Sequence, residues 1–239
     1  MRRRALIIGA PGKSQEYLPG VRKDVENYTN FLTSNIGGKW LKDEIVSLYD
    51  QDINTVQRTI NLVKSENNDF VLVVFSGHGN YSAIMSNRRL YIDHDNYIYE
   101  DNLKGLSKKE LLIIDTCAGI EREVGERKVK KSAFALFRES YTDYRKKYED
   151  AILSCLDQEI VLYASDVDEY SADTSKGGLY SKNLLETAYN NSYEEVLSSL
   201  VAHDIASSIV RKESKNKQNP QYSCSVRKGN KLPFALKEL

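Results

Sequence analysis

Five short apolar runs recur along the chain, at Arg4–Gly9, Ile45–Tyr49, Phe70–Phe75, Leu111–Ile114 and Ile160–Ala164, with a weaker one at Tyr222–Val226. They are rich in β-branched residues and too short for buried helices, which predicts strands. Because the runs are apolar throughout and do not alternate, the strands should be covered on both faces, as in a parallel sheet. Between the first two runs Val21, Val25, Tyr28, Phe31 and Leu32 repeat at helical spacing, and between the next two Val56, Ile60 and Val63 do the same. Strands alternating with amphipathic helices predict an α/β fold with helices on both faces of a mostly parallel sheet.

The pattern continues through helices predicted at Leu179–Tyr189 and Tyr193–Val210. Val196, Leu200, His203 and Ser207 mark one face of the second, and Asn191-Ser192 before Glu194-Glu195 reads as its N-cap and acidic first turn. Two segments break the alternation. Leu90–Tyr99, rich in tyrosine and aspartate, predicts a hairpin. Residues 121–131, dense in arginine and lysine, predict a solvated loop before a helix that reaches Lys147.

Composition narrows this picture. At 239 residues the chain suits one substantial core, so residues 1–239 are expected to form one domain. The 34 basic and 34 acidic residues cancel, which argues against a general nucleic-acid or membrane-surface role. No run approaches the roughly 18 apolar residues of a membrane span, and the apolar stretch after Met1 is too short for a signal peptide, so a cytoplasmic location is expected. Cys117, Cys155 and Cys224 are odd in number and lack metal spacing, which suggests free thiols in a reducing compartment.

Two of the predicted strands end in chemistry. Ser76-Gly77-His78-Gly79 follows the third run and Asp115-Thr116-Cys117 follows the fourth. Both therefore fall at the C-terminal strand ends, where open α/β sheets carry their sites. A thiol beside an imidazole can form a thiolate nucleophile, and the imidazole can later protonate a leaving amine. The amides of Gly79 and Cys117 are candidates for an oxyanion hole. A competing motif, Gly9-Ala10-Pro11-Gly12-Lys13-Ser14, imitates a phosphate-binding loop, but Ile7 stands where that loop needs glycine. His94 and His203 have no partner at metal spacing.

Ser76-Gly77-His78-Gly79 and Asp115-Thr116-Cys117-Ala118-Gly119 resemble the paired motifs of caspase-like cysteine peptidases. The Asp-x-Cys form is closer to metacaspases and bacterial orthocaspases than to animal caspases, whose signature has Gln-Ala before the cysteine. The resemblance extends, in order, to Arg4–Gly9, to Leu18–Val25, and to Ser171-Ala172-Asp173 with Gly178-Leu179-Tyr180-Ser181. It implies a six-stranded, mostly parallel caspase–hemoglobinase sheet and a cysteine endopeptidase with a His78–Cys117 dyad.

In the metacaspase group the residue before the scissile bond is arginine or lysine. The resemblance assigns Asp24, Ser76 and Asp115 to the pocket that holds it, with Val21 where the family has a wall cysteine. Asp166, Asp168 and Asp173 fall where metacaspases carry an acidic loop bordering the pocket, which makes one of them a candidate to assist, with Asp166 and Asp168 at its rim; a solvated loop is the ordinary role of any single one. The implied partners are protein or peptide substrates with Arg or Lys before the cut, together with an optional regulatory protein, for a monomer. Arg127, Lys128, Lys130 and Lys131 would suit self-cleavage, although such a charge run is ordinarily a solvated face. No metal is expected to be required; calcium, through Asp93, Asp95, Asn96, Glu100 and Asp101, is the alternative. A catalytically silent scaffold of the same fold and, behind it, a nucleotide-binding protein are the competing classes.

Overall fold

The computed structural model describes residues 1–116 and 143–238. In chain order the elements are β1 (Arg3–Ala10), α1 (Gly20–Thr33), β2 (Ile45–Tyr49), α2 (Ile53–Ser65), β3 (Phe70–Gly77), β4 (Gly79–Ser82), β5 (Asn87–Tyr91), β6 (Tyr97–Tyr99), β7 (Lys109–Thr116), α3 (Tyr144–Leu153), β8 (Gln158–Tyr163), β9 (Asp173–Thr174), β10 (Gly177–Gly178), α4 (Leu179–Tyr189), β11 (Val196–Ser198), α5 (Ser199–Glu213), β12 (Gln221–Cys224) and β13 (Pro233–Leu236).

The main sheet has six strands in the order β12-β8-β7-β3-β1-β2. Five of them, β8 through the edge strand β2, are parallel, and β12 runs antiparallel at the other edge against β8. Alternate residues of each strand enter two separate cores. Ala5, Ile7, Leu72, Val74, Leu111 and Ile113 face α1, α3, α4 and α5, whereas Leu6, Ile8, Val73, Phe75, Leu112 and Ile114 face α2 and the hairpin. Every residue of β3 is buried, which accounts for its unbroken apolar run. Asp52 caps α2 by accepting from the Thr55 amide at 3.0 Å.

The sheet register sets the site. Gly9 lies beside Ser76, Ser76 beside Asp115, and Gly77 beside Thr116. The functional motifs of β3 and β7 therefore end level with each other, next to the end of β1.

The C-terminal third differs from the helical expectation. Residues 196–198 are extended and pair antiparallel with β13, so α5 begins at Ser199. Its cap is Ser198, whose hydroxyl accepts from the Val201 amide at 3.3 Å, and Asn191 instead closes a turn on the Glu194 amide. Helical spacing alone cannot separate three extended residues from a helix when the strand that pairs with them lies at the far end of the chain. That strand, β13, is wholly buried, with Phe234 stacked on Phe31 at 5.0 Å between ring centroids. Leu90–Tyr99 is a hairpin of β5 and β6, with β4 adding a third strand directly after His78. Among the described residues no helix is long and apolar enough to cross a membrane.

Candidate active site

β3 leaves the main sheet at Gly77, and the chain turns into β4 after His78. The Tyr91 amide donates to the His78 carbonyl at 3.0 Å and fixes that turn. The half-buried imidazole reaches back over β1, where Nε2 lies 2.5 Å from the Glu16 carbonyl oxygen. A carbonyl can only accept, so Nε2 carries a hydrogen, and the neutral ring in this orientation is the tautomer with its lone pair on Nδ1. Glu16 belongs to a single 3-10 turn, Ser14–Glu16, in the loop after β1. A Cβ at position 79 would stand 2.5 Å from the Thr116 methyl carbon. Glycine is thus required for the His78 segment to lie against the last described residue before position 117. Cys117 and the candidate cleavage residues Arg127, Lys128, Lys130 and Lys131 lie outside the described residues.

Three aspartates gather beside this edge. Asp24, on the second turn of α1, is 1% exposed and accepts from Ser76 Oγ at 2.6 Å and from the Gly178 amide at 3.0 and 3.1 Å. Asp115, fully buried, accepts from Ser171 Oγ at 2.9 Å, Ser181 Oγ at 2.6 Å and the Ser181 amide at 3.0 Å. Gly178 lies so close to the Asp115 carboxylate that a side chain there would collide with it. Asp173 accepts from the Gly20 amide at 3.1 Å through Oδ2, while its buried Oδ1 has no hydrogen-bond partner.

The electrostatics follow from this crowding. Burial pushes Asp24 well above the usual carboxylate range, with the Asp115 charge adding to it against the pull of Ser76 and Gly178. Burial also raises Asp115, opposed by the Ser181 and Ser171 bonds. Asp173 is pushed up to about 6 by burial, pulled back by the Gly20 amide, raised further by Asp115 and lowered by the neighbouring His78. Among the described residues no lysine or arginine pairs with any of the three. Buried carboxylates with donors but no counter-charge are costly, and an entering cation would relieve them.

The other expected positions fall elsewhere. Val21 has no exposed surface and packs against Leu18 beside Tyr49. Asp166 borders a second cavity near Arg88 and Gln221, and Asp168 is exposed at φ 66° in a turn. Asp173, rather than either of these, joins the buried group. The loop resembling a phosphate-binding motif packs over His78, and α1 starts only at Gly20. A phosphate loop instead opens straight into a helix at its Lys-Ser.

His203 is buried, bonded to Tyr180 at 2.6 Å and Ser207 at 3.1 Å, and lowered to about 4 by burial. Asp93 accepts from the Asp95 and Asn96 amides, closing its own turn. Glu100 and Asp101 both face Lys104, at 2.8 and 3.1 Å. Among the described residues no group of three or more His, Cys, Asp or Glu side chains could hold a metal ion.

Sequence reasoning missed two contributors. The Glu16 carbonyl has no side-chain signal at all. Gln218 bonds Ser171 at 3.1 Å and the Ala164 carbonyl at 2.8 Å, supporting Asp115 from behind, yet a lone glutamine in a polar loop announces nothing.

Comparison with known proteins completes the picture. A family profile described as a caspase domain matches residues 2–230. Caspase-1 from Spodoptera frugiperda is 15% identical over 93% of this chain and 86% of its own, with a TM-score of 0.59. A protein of Geobacter sulfurreducens is 13% identical over all of both chains, at 0.63. The Drosophila initiator caspase Dronc is 11% identical over 98% of this chain and 82% of its own, at 0.60. No curated protein sequence matches significantly. At these identities the structural likeness carries the fold alone.

Proposed function

Because the chain belongs to the caspase-domain family, we propose that it is a cysteine endopeptidase of the metacaspase and orthocaspase type, cleaving after arginine or lysine. In this reading His78 Nδ1 draws the proton from Cys117, and the thiolate attacks the peptide carbonyl. The oxyanion rests on the amides of Gly79 and Cys117, His78 returns the proton to the departing amine, and water hydrolyses the acyl-enzyme. The Glu16 carbonyl holds the imidazole in the tautomer this requires.

The observation that carries the specificity is the group of Asp24, Asp115 and Asp173 beside His78, with no lysine or arginine among the described residues to balance it. A guanidinium or ammonium supplies the missing charge, whereas an aspartate side chain would add a fourth carboxylate. Ser76, Ser171 and Ser181 keep two of the carboxylates aligned.

The test is hydrolysis of paired fluorogenic peptides ending in Arg or Asp, with Cys117→Ala as control. Release from the arginine peptide that disappears in Cys117→Ala is expected. Cys117-dependent release from the aspartate peptide instead would overturn the specificity. Release from neither would overturn the peptidase reading in favour of a silent scaffold.

A further inference from the structure

His78 also borders a cavity of about 860 Å3, with Lys13, Gly79, Asn80, Tyr91 and His94. None of Asp24, Asp115 and Asp173 borders it. If the imidazole protonates the departing amine, the residues after the scissile bond must leave through this space, because the residue before it occupies the carboxylate pocket. The inference therefore rests on the peptidase reading above.

Asn80 and Tyr91 on the cavity's lining belong to the three-stranded sheet, and Arg89, Tyr97 and Tyr99 are their neighbours on its outer face. Arg89 and Tyr91 of β5 pair across the sheet with Tyr99 and Tyr97 of β6, and Asn80 of β4 pairs with Arg89. These share one face, while Leu90 and Ile98 point into the core. The Arg89 guanidinium lies 5.0 Å over the Tyr97 ring, and the neighbouring Tyr99 and Tyr91 side chains favour its charged form. The tyrosine rings meet edge to face, Tyr91 to Tyr97 at 5.7 Å and Tyr97 to Tyr99 at 5.4 Å. Asn80 donates to the Tyr91 hydroxyl at 3.0 Å. The Arg89 Nε is enclosed with no hydrogen-bond partner, and among the described residues no carboxylate pairs with the guanidinium.

A cation stacked on one tyrosine ring and flanked by two more has less rotamer freedom to lose and keeps its charge. Such a group binds a carboxylate with little further ordering cost. We propose that Arg89, with its tyrosine frame and the adjoining cavity, forms the leaving-side subsite and selects an aspartate or glutamate among the first residues after the scissile bond. The cleft then carries opposite charges on its two sides. A peptide threaded backwards would put like charges together on both, so the arrangement also fixes chain direction.

Internally quenched peptides with arginine before the scissile bond, and glutamate, glutamine or lysine at the first, second or third position after it, test this. At one position glutamate should exceed glutamine in kcat/KM by roughly fivefold, the upper range for a partly exposed ion pair, with lysine poorest. In Arg89→Gln that ratio should collapse to about one, while the preference for arginine over aspartate before the bond persists. Equal rates for all three residues, or a glutamate preference that survives Arg89→Gln, would overturn the subsite and leave the peptidase intact. Absence of any Cys117-dependent cleavage would instead remove the peptidase reading and this inference with it.

Discussion

The two ends of the central sheet bury charge in opposite ways. At the start of β1, Arg3 is 2% exposed, lies 4.4 Å over the Trp40 ring and donates to the Gly38 carbonyl at 2.9 Å. It stands 3.4 Å from Glu44 and 3.9 Å from Glu149, and Arg145 reaches the same two carboxylates at 2.6 and 3.1 Å. With the Met1 ammonium 3.6 Å from Glu149, three cations meet two anions. At the other end, the buried Asp24 and Asp115 and the half-buried Asp173 have hydroxyl and amide donors but no lysine or arginine partner among the described residues. The first arrangement pairs its charges within the folded chain, with Arg3 Nη1 and Glu149 Oε1 left without hydrogen bonds, and removing one partner from such a group is costly. The second is left unbalanced and costs stability, which is what a group awaiting a charged partner looks like.

Removing charge should therefore act oppositely at the two ends. Arg3→Met leaves Glu44 to Arg145, and Glu149 to Arg145 and the Met1 ammonium, and should cost about 3 kcal/mol, lowering Tm by roughly 10 °C, with kcat/KM at low temperature retained. A Tm within a degree or two of the native value would erase the contrast. Asp24→Asn should do the reverse. The Ser76 hydroxyl can rotate to accept from the amide, so Tm should hold or rise, while kcat/KM for arginine peptides falls about 100-fold, the scale for truncating a buried charge pair. A lowered Tm with unchanged kcat/KM would make Asp24 a structural acid like Glu44.

The smallest effect is a pH dependence. Asp173 keeps its proton in the folded chain up to about 6, whereas its ordinary value is 3.8. Between those values the folded state binds more protons, so the contribution of Asp173 to stability is present below the lower value and lost as pH rises through about 6. The Tm of Asp173→Asn relative to the native protein should consequently increase from pH 4 to pH 7. Agmatine, a free guanidinium probe, should raise native Tm more at pH 7 than at pH 4. A Tm difference that does not change with pH would show that Asp173 is not held with the other two carboxylates.

Much of this was legible in the chain. The five parallel strands follow from apolar runs at Arg4–Gly9 through Ile160–Ala164, and the edge strand from the weaker run at Tyr222–Val226. His78 and the end of β7 at Thr116 stand at strand ends as expected, since a motif following an apolar run has nowhere else to lie. Asp24 was harder. On α1 it resembles any helix carboxylate, and only the resemblance of Leu18–Val25 to a family segment singled it out.

What the sequence determined by itself was whatever local periodicity encodes: which segments are strands, which helix faces are apolar, and that a histidine and a cysteine follow two strands. Tertiary structure alone decided the rest. It chose Asp173 over Asp166 and Asp168, because three aspartates of one loop are chemically alike until distant partners, Gly20 and Asp115, bury one of them. It brought the Glu16 carbonyl to His78, because every residue carries the same backbone oxygen and only a fold selects one. It turned residues 196–198 into a strand, because the pairing with β13 reaches across the chain to a partner that no local pattern contains.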